Sequence, residues 1–305
     1  MPFKADKIWM DGKLVDWDKA QIHILSHVIH YGSGVFEGIR CYDSKKGPAI
    51  FRLDDHVKRL YDSAKIFKME PEYSHDEIKK AIIETVRVNK LKDCYIRPLI
   101  YRGFGTLGLN PLSIPIRVMI AAWDWGRYLG EDALEKGISV QVSSWSRGAP
   151  NTFPMMAKIT GNYVNSQLIK IDAIQNGYDE GIALDHYGYV SEGSGENVFI
   201  VRNGVIFTPP SSSAILAGIT RHSIFVLARD LGIKMKQHVL PRESLYISDE
   251  VFMTGTAAEI TPVSKIDNIV INNGKRGPVT EKLQKEFFSI INGKGKDKYE
   301  WLTFI

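Results

Sequence analysis

Apolar and polar positions change rhythm several times along the chain, and each rhythm predicts an element. Ile8-Trp9-Met10 and Lys13-Leu14-Val15 flank Asp11-Gly12, a pair suited to a two-residue hairpin turn, so a β-hairpin is expected at the start. Leu53, Val57, Leu60, Ala64 and Phe67 recur at helical spacing, and Ser74 with Glu77 forms a capping-box pattern ahead of Ile78, Ile82 and Val86. Two amphipathic helices follow from this. Cys94 to Tyr101 and Ile116 to Ala122 are apolar runs rich in β-branched and aromatic residues, which read as buried strands.

From Trp123 to Gly137 the chain becomes charged and punctuated by glycine (DWGRYLGEDALEKG), the character of a connection rather than a core element. Beyond it, residues 138–142 alternate as a strand, Asn162 to Asn176 is helix-like, and Asn197 to Phe207 reads as a hairpin turning at Asn203-Gly204. Helical patterns recur at Thr220 to Leu231 and Thr280 to Ile291. The expected architecture is α+β in two lobes: a small N-terminal domain over 1–123, an interdomain loop over 124–137 and a large C-terminal domain over 138–305. A length of 305 residues suits one large or two medium domains.

Composition narrows the class. With 44% hydrophobic and 24% charged residues the chain is ordinary for a globular protein, and a formal charge of +4 spread over amphipathic segments gives no nucleic-acid footprint. The GKGKDK stretch near the C-terminus reads as a short solvated tail. Cys41 and Cys94 have no metal-ligand spacing, so no metal is expected and a reducing cytoplasmic setting is. No apolar stretch reaches membrane-spanning length and the N-terminus carries no apolar signal core, so neither a membrane partner nor export is expected.

Several constellations could carry chemistry. Lys158 lies in Pro154-Met155-Met156-Ala157-Lys158-Ile159-Thr160-Gly161-Asn162-Tyr163, where apolar neighbours would desolvate its ammonium form and free the amine for Schiff-base chemistry; a surface charge is the plainer reading. Val190-Ser191-Glu192-Gly193-Ser194-Gly195-Glu196-Asn197 is either a surface turn or a way to aim a carboxylate, with Glu192 preferred, at a pyridinium nitrogen. Leu216-Ala217-Gly218-Ile219-Thr220-Arg221 and Met253-Thr254-Gly255-Thr256-Ala257-Ala258 are ordinary caps and turns, or together a phosphate cradle of backbone N–H groups, hydroxyls and helix dipole. Arg59 could complete that cradle or face solvent. Tyr31, Phe36, Tyr95, Arg97, Trp125 and Tyr128 form core packing around a structural ion pair, or else a pocket for both a hydrocarbon side chain and a second carboxylate.

Taken in order, Tyr31-Gly-Ser-Gly-Val-Phe-Glu-Gly-Ile-Arg40, Tyr95-Ile-Arg-Pro98, Lys158 to Tyr163, Ser191 to Asn197, Gly218 to Arg221 and Gly255 to Val263 resemble the bacterial and archaeal branched-chain amino-acid aminotransferases over nearly the whole chain. The resemblance implies a two-domain fold-type IV architecture with pyridoxal 5'-phosphate lying between the domains. It implies that Lys158 carries the cofactor as a Schiff base, that Glu192 pairs with the pyridine nitrogen and that Tyr163 hydrogen-bonds the ring hydroxyl. Arg59, Ile219, Thr220 and Thr256 would hold the phosphate, with Gly218 and Ala257 nearby and Asn197 in the same set. Phe36, Gly38, Tyr95, Arg97, Trp125, Tyr128, Thr256 and Ala257 would meet the substrate, with Tyr31 and Leu109 supplied by a partner subunit.

The implied reaction passes an amino group from leucine, isoleucine or valine to 2-oxoglutarate in two half-reactions, with Lys158 as the base. The implied assembly is a homodimer or larger, hexamers being known in the family. A D-amino-acid aminotransferase and an aminodeoxychorismate lyase are alternatives on the same fold.

Overall fold

Asp11 and Gly12 take φ of 44° and 84°, the left-handed values a two-residue hairpin turn needs, and the strands Lys7–Met10 and Lys13–Asp16 close on Met10 opposite Lys13. This hairpin begins a computed structural model that describes residues 5–126 and 132–305. The chain divides into two compact units. The first comprises the residues up to Gly126 together with Ala157–Asn162 and Ser289–Ile305; the second comprises Arg127–Met156 and Tyr163–Phe288.

In the first unit, described strands form one sheet in the order 302–304, 47–51, 39–44, 94–102, 116–123, 7–10, 13–16, with Gly34–Phe36 also pairing with Cys94–Arg102. The helix Leu53–Ile66 buries Leu53, Val57, Leu60 and Ala64, the predicted stripe. His75–Val88 starts with the predicted capping box: Glu77 N–H donates to Ser74 Oγ at 3.3 Å and Ser74 N–H donates to Glu77 Oε2 at 2.7 Å. Both helices join Ile39, Ile96, Ile100 and Ile120 of the sheet in one core.

The second unit holds a mixed sheet in the order 190–193, 180–184, 138–142, 259–266, 250–255, 197–202, 205–208, 235–237, with 269–270 added beside 259–266. Residues 138–142 run parallel to both neighbours. A parallel pair needs a long crossover, and the one from 142 to 180 carries the helix Tyr163–Gln175. The hairpin at Asn203-Gly204 forms as expected, with φ of 50° and 71°. The helix Ile219–Asp230 buries Ile224, Leu227 and Ala228.

Three expectations need amendment. The sequence division was linear, whereas Ala157–Asn162 and Ser289–Ile305 fold with the first unit, because long-range backbone pairing decides membership. Part of 124–137 is structured: Ala133–Lys136 is a short helix whose Ala133 joins the second unit's core. The C-terminal stretch is no free tail, since Leu302–Phe304 pairs with Gly47–Phe51 and Trp301, 6% exposed, packs edge-on to Phe51. Among the described residues, no helix is long and apolar enough to cross a membrane.

Candidate active site

The segment carrying Lys158 is fastened to the first unit by its backbone. Lys158 N–H donates to Ser63 Oγ at 3.0 Å, and its carbonyl accepts from Phe36 N–H at 3.0 Å. Val35 and Ile159 form an isolated antiparallel bridge beside it. Gly161 N–H donates to Gly32 O at 3.1 Å, and Gly34 N–H donates to Thr160 Oγ1 at 3.1 Å. This approach demands glycine at 32, where φ is 61° and a Cβ would stand 2.7 Å from Gly161 Cα. Ala157 and Ile159 are buried, but Met156 is 59% exposed, so the expected apolar approach does not enclose the lysine from that side. Backbone bonds to strand and helix seat it instead.

Lys158 Nζ lies 5.0 Å from the Phe36 ring centroid, and Arg97 Cζ lies 4.8 Å from that same ring. Tyr95 and Arg97 share one face of their strand because side chains two apart project the same way. Arg97 Cζ is also 5.4 Å from the Tyr95 ring and 6.0 Å from Trp123, while Tyr95 meets Trp125 edge-on at 4.5 Å. Arg97 Nε is buried without a hydrogen-bond partner, and the guanidinium forms no ion pair among the described residues. Among the described residues, the structural ion pair that the sequence left open is not formed. Gly38 lies against Tyr95, where a Cβ would come within 1.8 Å of the hydroxyl.

Tyr31 and Leu109 stand outside this aromatic group. Tyr31 packs against His27 at 4.5 Å, and His27 Nε2 is 3.0 Å from Gly108 O, so one buried histidine links Tyr31 to the loop bearing Leu109. Tyr31 is 45% and Leu109 87% exposed. Tyr128 and Arg127 lie outside the described residues.

Arg59 does not simply face water. Its Nε and Nη2 fork onto Glu37 Oε1 and Oε2 at 2.6 and 2.8 Å, and His56 Nδ1 lies 2.8 Å from Glu37 Oε2. Glu37 is fully buried. Burial alone would raise its carboxyl, but the Arg59 guanidinium, with His56, holds it well below the usual range. Burial pulls His56 down, against the pull of Glu37, with Arg59 and Lys158 adding to the fall. The histidine is therefore neutral and gives its Nδ1–H to the carboxylate. Glu37 and His56 received no role from the sequence, where an acid between Phe and Gly and a histidine on a helical stripe carry no chemical signal.

In the second unit, Glu192 is 5% exposed, and its Oε2 accepts from Asn197 Nδ2 at 3.1 Å and Leu216 N–H at 3.0 Å. Arg147 Nη2 lies 3.3 Å from Oε1. Glu196 has a different environment: burial, then the nearby Glu180 charge, pushes it up to about 8 although Gly195 N–H donates to it. The two acids left open by sequence are thus chemically distinct, one hydrogen-bonded and ion-paired, the other held protonated.

Gly218 starts the helix Ile219–Asp230 with no side-chain cap, and a Cβ there would sit 2.0 Å from Asn197 Oδ1. A helix start without a side-chain cap suits an anion, and Thr220 is buried beside it. Thr256 and Ala257 are half-buried in the turn joining Glu250–Gly255 to Glu259–Ile266, and Asn197 pairs in register with Thr254. Arg221 is anchored through Nη2 to Pro209 O at 2.9 Å, and burial draws it down to about 10. Tyr163 is half-buried at the first position of its helix.

Residues 34–266 match the model of the amino-transferase class IV family. The chain is 53% identical over 300 residues, covering 98% of itself and 97% of its relative, to the branched-chain-amino-acid aminotransferase of Escherichia coli (strain K12). A crystal structure of the Escherichia coli branched-chain amino acid aminotransferase superposes with a TM-score of 0.97 at 53% identity, covering 98% of this chain and 99% of that one. The branched-chain amino acid aminotransferase from Thermobaculum terrenum, solved in its PLP-bound holo-form, superposes at 0.92 with 35% identity, covering 98% of each chain.

Proposed function

Because this chain belongs to the class IV aminotransferases, we propose that it catalyses pyridoxal 5'-phosphate-dependent transamination between L-leucine, L-isoleucine or L-valine and 2-oxoglutarate. The observation that carries the substrate reading is Arg97: a guanidinium among Phe36, Tyr95 and Trp123, without an anionic partner among the described residues, beside the ring that Lys158 also contacts. Aromatic faces accept hydrocarbon and a guanidinium suits a carboxylate, so one enclosure can serve both a branched amino acid and a dicarboxylic one.

The residues fit the cofactor. In the second unit the start at Gly218, which has no side-chain cap, would offer backbone donors to a phosphate, and Ile219, Thr220, Asn197, Thr256 and Ala257 are the other residues that would hold it; Arg59 is the guanidinium assigned to it in this reading. When bound, the cofactor supplies a covalent attachment for the amino group and a ring that withdraws electrons from the substrate Cα. Lys158 would hold the cofactor through its side-chain amine, and that same Nζ is placed to take the substrate Cα proton. Glu192 would accept a hydrogen bond from the pyridinium nitrogen, and Tyr163 would donate one to the ring oxygen. Arg97 and Tyr95 would receive the distal carboxylate of 2-oxoglutarate, while Phe36, Trp125 and Tyr128 would take the branched side chain and Gly38 leaves room for the Tyr95 ring.

The working unit is at least a homodimer in this reading. Tyr31, Leu109 and the exposed Ile24 (68%) and Phe104 (54%) form apolar surface on the first unit that a second copy would cover while contributing Tyr31 and Leu109.

The test is the visible spectrum of the purified protein with L-leucine, and separately with D-leucine. A yellow band lost with L-leucine and restored by 2-oxoglutarate is expected. Loss with D-leucine alone would assign D-amino acids, and release of pyruvate from aminodeoxychorismate would assign the lyase.

A further inference from the structure

Arg147 sits in a Ser-Arg-Gly-Ala-Pro loop that no periodicity marks, yet it is 4% exposed and draws together two parts of the second unit. Its Nη1 donates to Asn165 Oδ1 at 3.1 Å and Ser166 Oγ at 3.0 Å, on the first turn of the helix that Tyr163 opens. Its Nη2 donates to the carbonyls of Gly193 and Ser194 at 2.6 and 3.0 Å, and lies 3.3 Å from Glu192 Oε1. The loop itself is tied down, since Arg147 N–H donates to Leu184 O at 2.8 Å. One rigid, planar cation therefore fixes Glu192 together with the helix start two residues beyond Tyr163.

We propose that Arg147 is a positioning residue that sets the spacing of Glu192 and Tyr163 and opposes movement of the pyridinium proton onto the Glu192 carboxylate. This rests on the reading that Glu192 faces the ring nitrogen. An opposite charge within hydrogen-bonding reach of a carboxylate favours its ionised form, so the shared proton stays on the nitrogen and the ring stays electron-withdrawing. The neighbouring Glu196 is raised by burial and by Glu180 toward its protonated form, which competes less for the guanidinium. Five polar partners on a buried side chain are more than packing requires, and an apolar residue of similar volume would leave Glu192 without this cation.

The experiment compares the cofactor-loaded wild type with Arg147→Gln, Arg147→Lys and Glu192→Gln, following the visible absorption band from pH 5 to 10 alongside kcat and KM for L-leucine. In Arg147→Gln the midpoint of the band's pH titration is expected to move by about one unit or more, in the same direction as in Glu192→Gln, with kcat falling more than KM rises. Arg147→Lys restores the charge without the fork, so its midpoint is expected near the wild type while kcat stays reduced.

Loss of kcat or melting temperature in Arg147→Gln with an unmoved midpoint, while Glu192→Gln shifts, overturns the proposal and leaves Arg147 structural. An unmoved midpoint in Glu192→Gln overturns the assignment of Glu192 itself. If Arg147→Gln does not fold, Arg147→Met, of similar volume and without charge, takes its place: an unmoved midpoint beside a shifted Glu192→Gln refutes the charge effect, and a midpoint displaced in the same direction as that of Glu192→Gln supports it.

Discussion

Gly38 lies so close to Tyr95 that a Cβ at position 38 would stand 1.8 Å from the phenolic oxygen and 2.6 Å from the ring carbon bearing it. The Tyr95 ring is fixed in turn by Trp123 and Trp125, with centroids at 5.5 and 4.5 Å, and cannot swing away cheaply. Gly38→Ala is expected to displace the ring and lower kcat/KM for L-leucine by roughly tenfold or more, at a cost of about 1–3 kcal/mol in overpacking. Steady-state kinetics with a urea melt separate the two effects.

Arg97 meets aromatic faces and no anion among the described residues, so its charge is available to a substrate carboxylate. Arg97→Lys keeps the charge but loses the planar fork and the stacking. KM for 2-oxoglutarate is expected to rise about 10- to 100-fold, some 1.4–2.8 kcal/mol, with a smaller change for L-leucine. Equal losses for both substrates would remove the distinction drawn for this residue.

Glu37 stays ionised in a fully buried place only because Arg59 and His56 bond to it. Its folded carboxyl titrates far below the unfolded one, so the stabilisation is complete above the ordinary carboxyl range and is lost as pH falls through that range toward the folded value. Glu37→Gln is expected to cost about 3–5 kcal/mol near neutral pH, since Arg59 and His56 lose their anion, and to weaken the acid dependence of unfolding. Chemical denaturation from pH 3 to 7 checks both.

Glu196 has the opposite sign. Its folded pKa, about 8, lies above the unfolded value, so its contribution is whole below the ordinary carboxyl range and is lost as pH rises to about 8. Glu196→Gln keeps a neutral side chain at every pH. The melting temperature of the variant is expected to fall less than that of the wild type between pH 5 and 8, and parallel curves would show that Glu196 ionises normally.

Much of this protein is determined locally and can be read from sequence. The turns at Asp11-Gly12 and Asn203-Gly204, the capping box at Ser74 and the helical stripe from Leu53 to Ala64 depend on residues a few positions apart, whose conformational preferences act before any tertiary contact forms. Motif order was equally legible, and with it the family. Tertiary structure decided what depends on distant partners. It returned Ala157–Asn162 to the first unit through bonds to Gly32, Phe36 and Ser63, gave Arg59 its carboxylate from Glu37, and turned Leu302–Phe304 into a strand. It also made Glu192 and Glu196, four residues apart in similar surroundings of small residues, into an ion-paired carboxylate and a protonated acid. Neither the burial of a charge nor the identity of its partner is written in local spacing, because both depend on which segments the fold brings within a few ångströms.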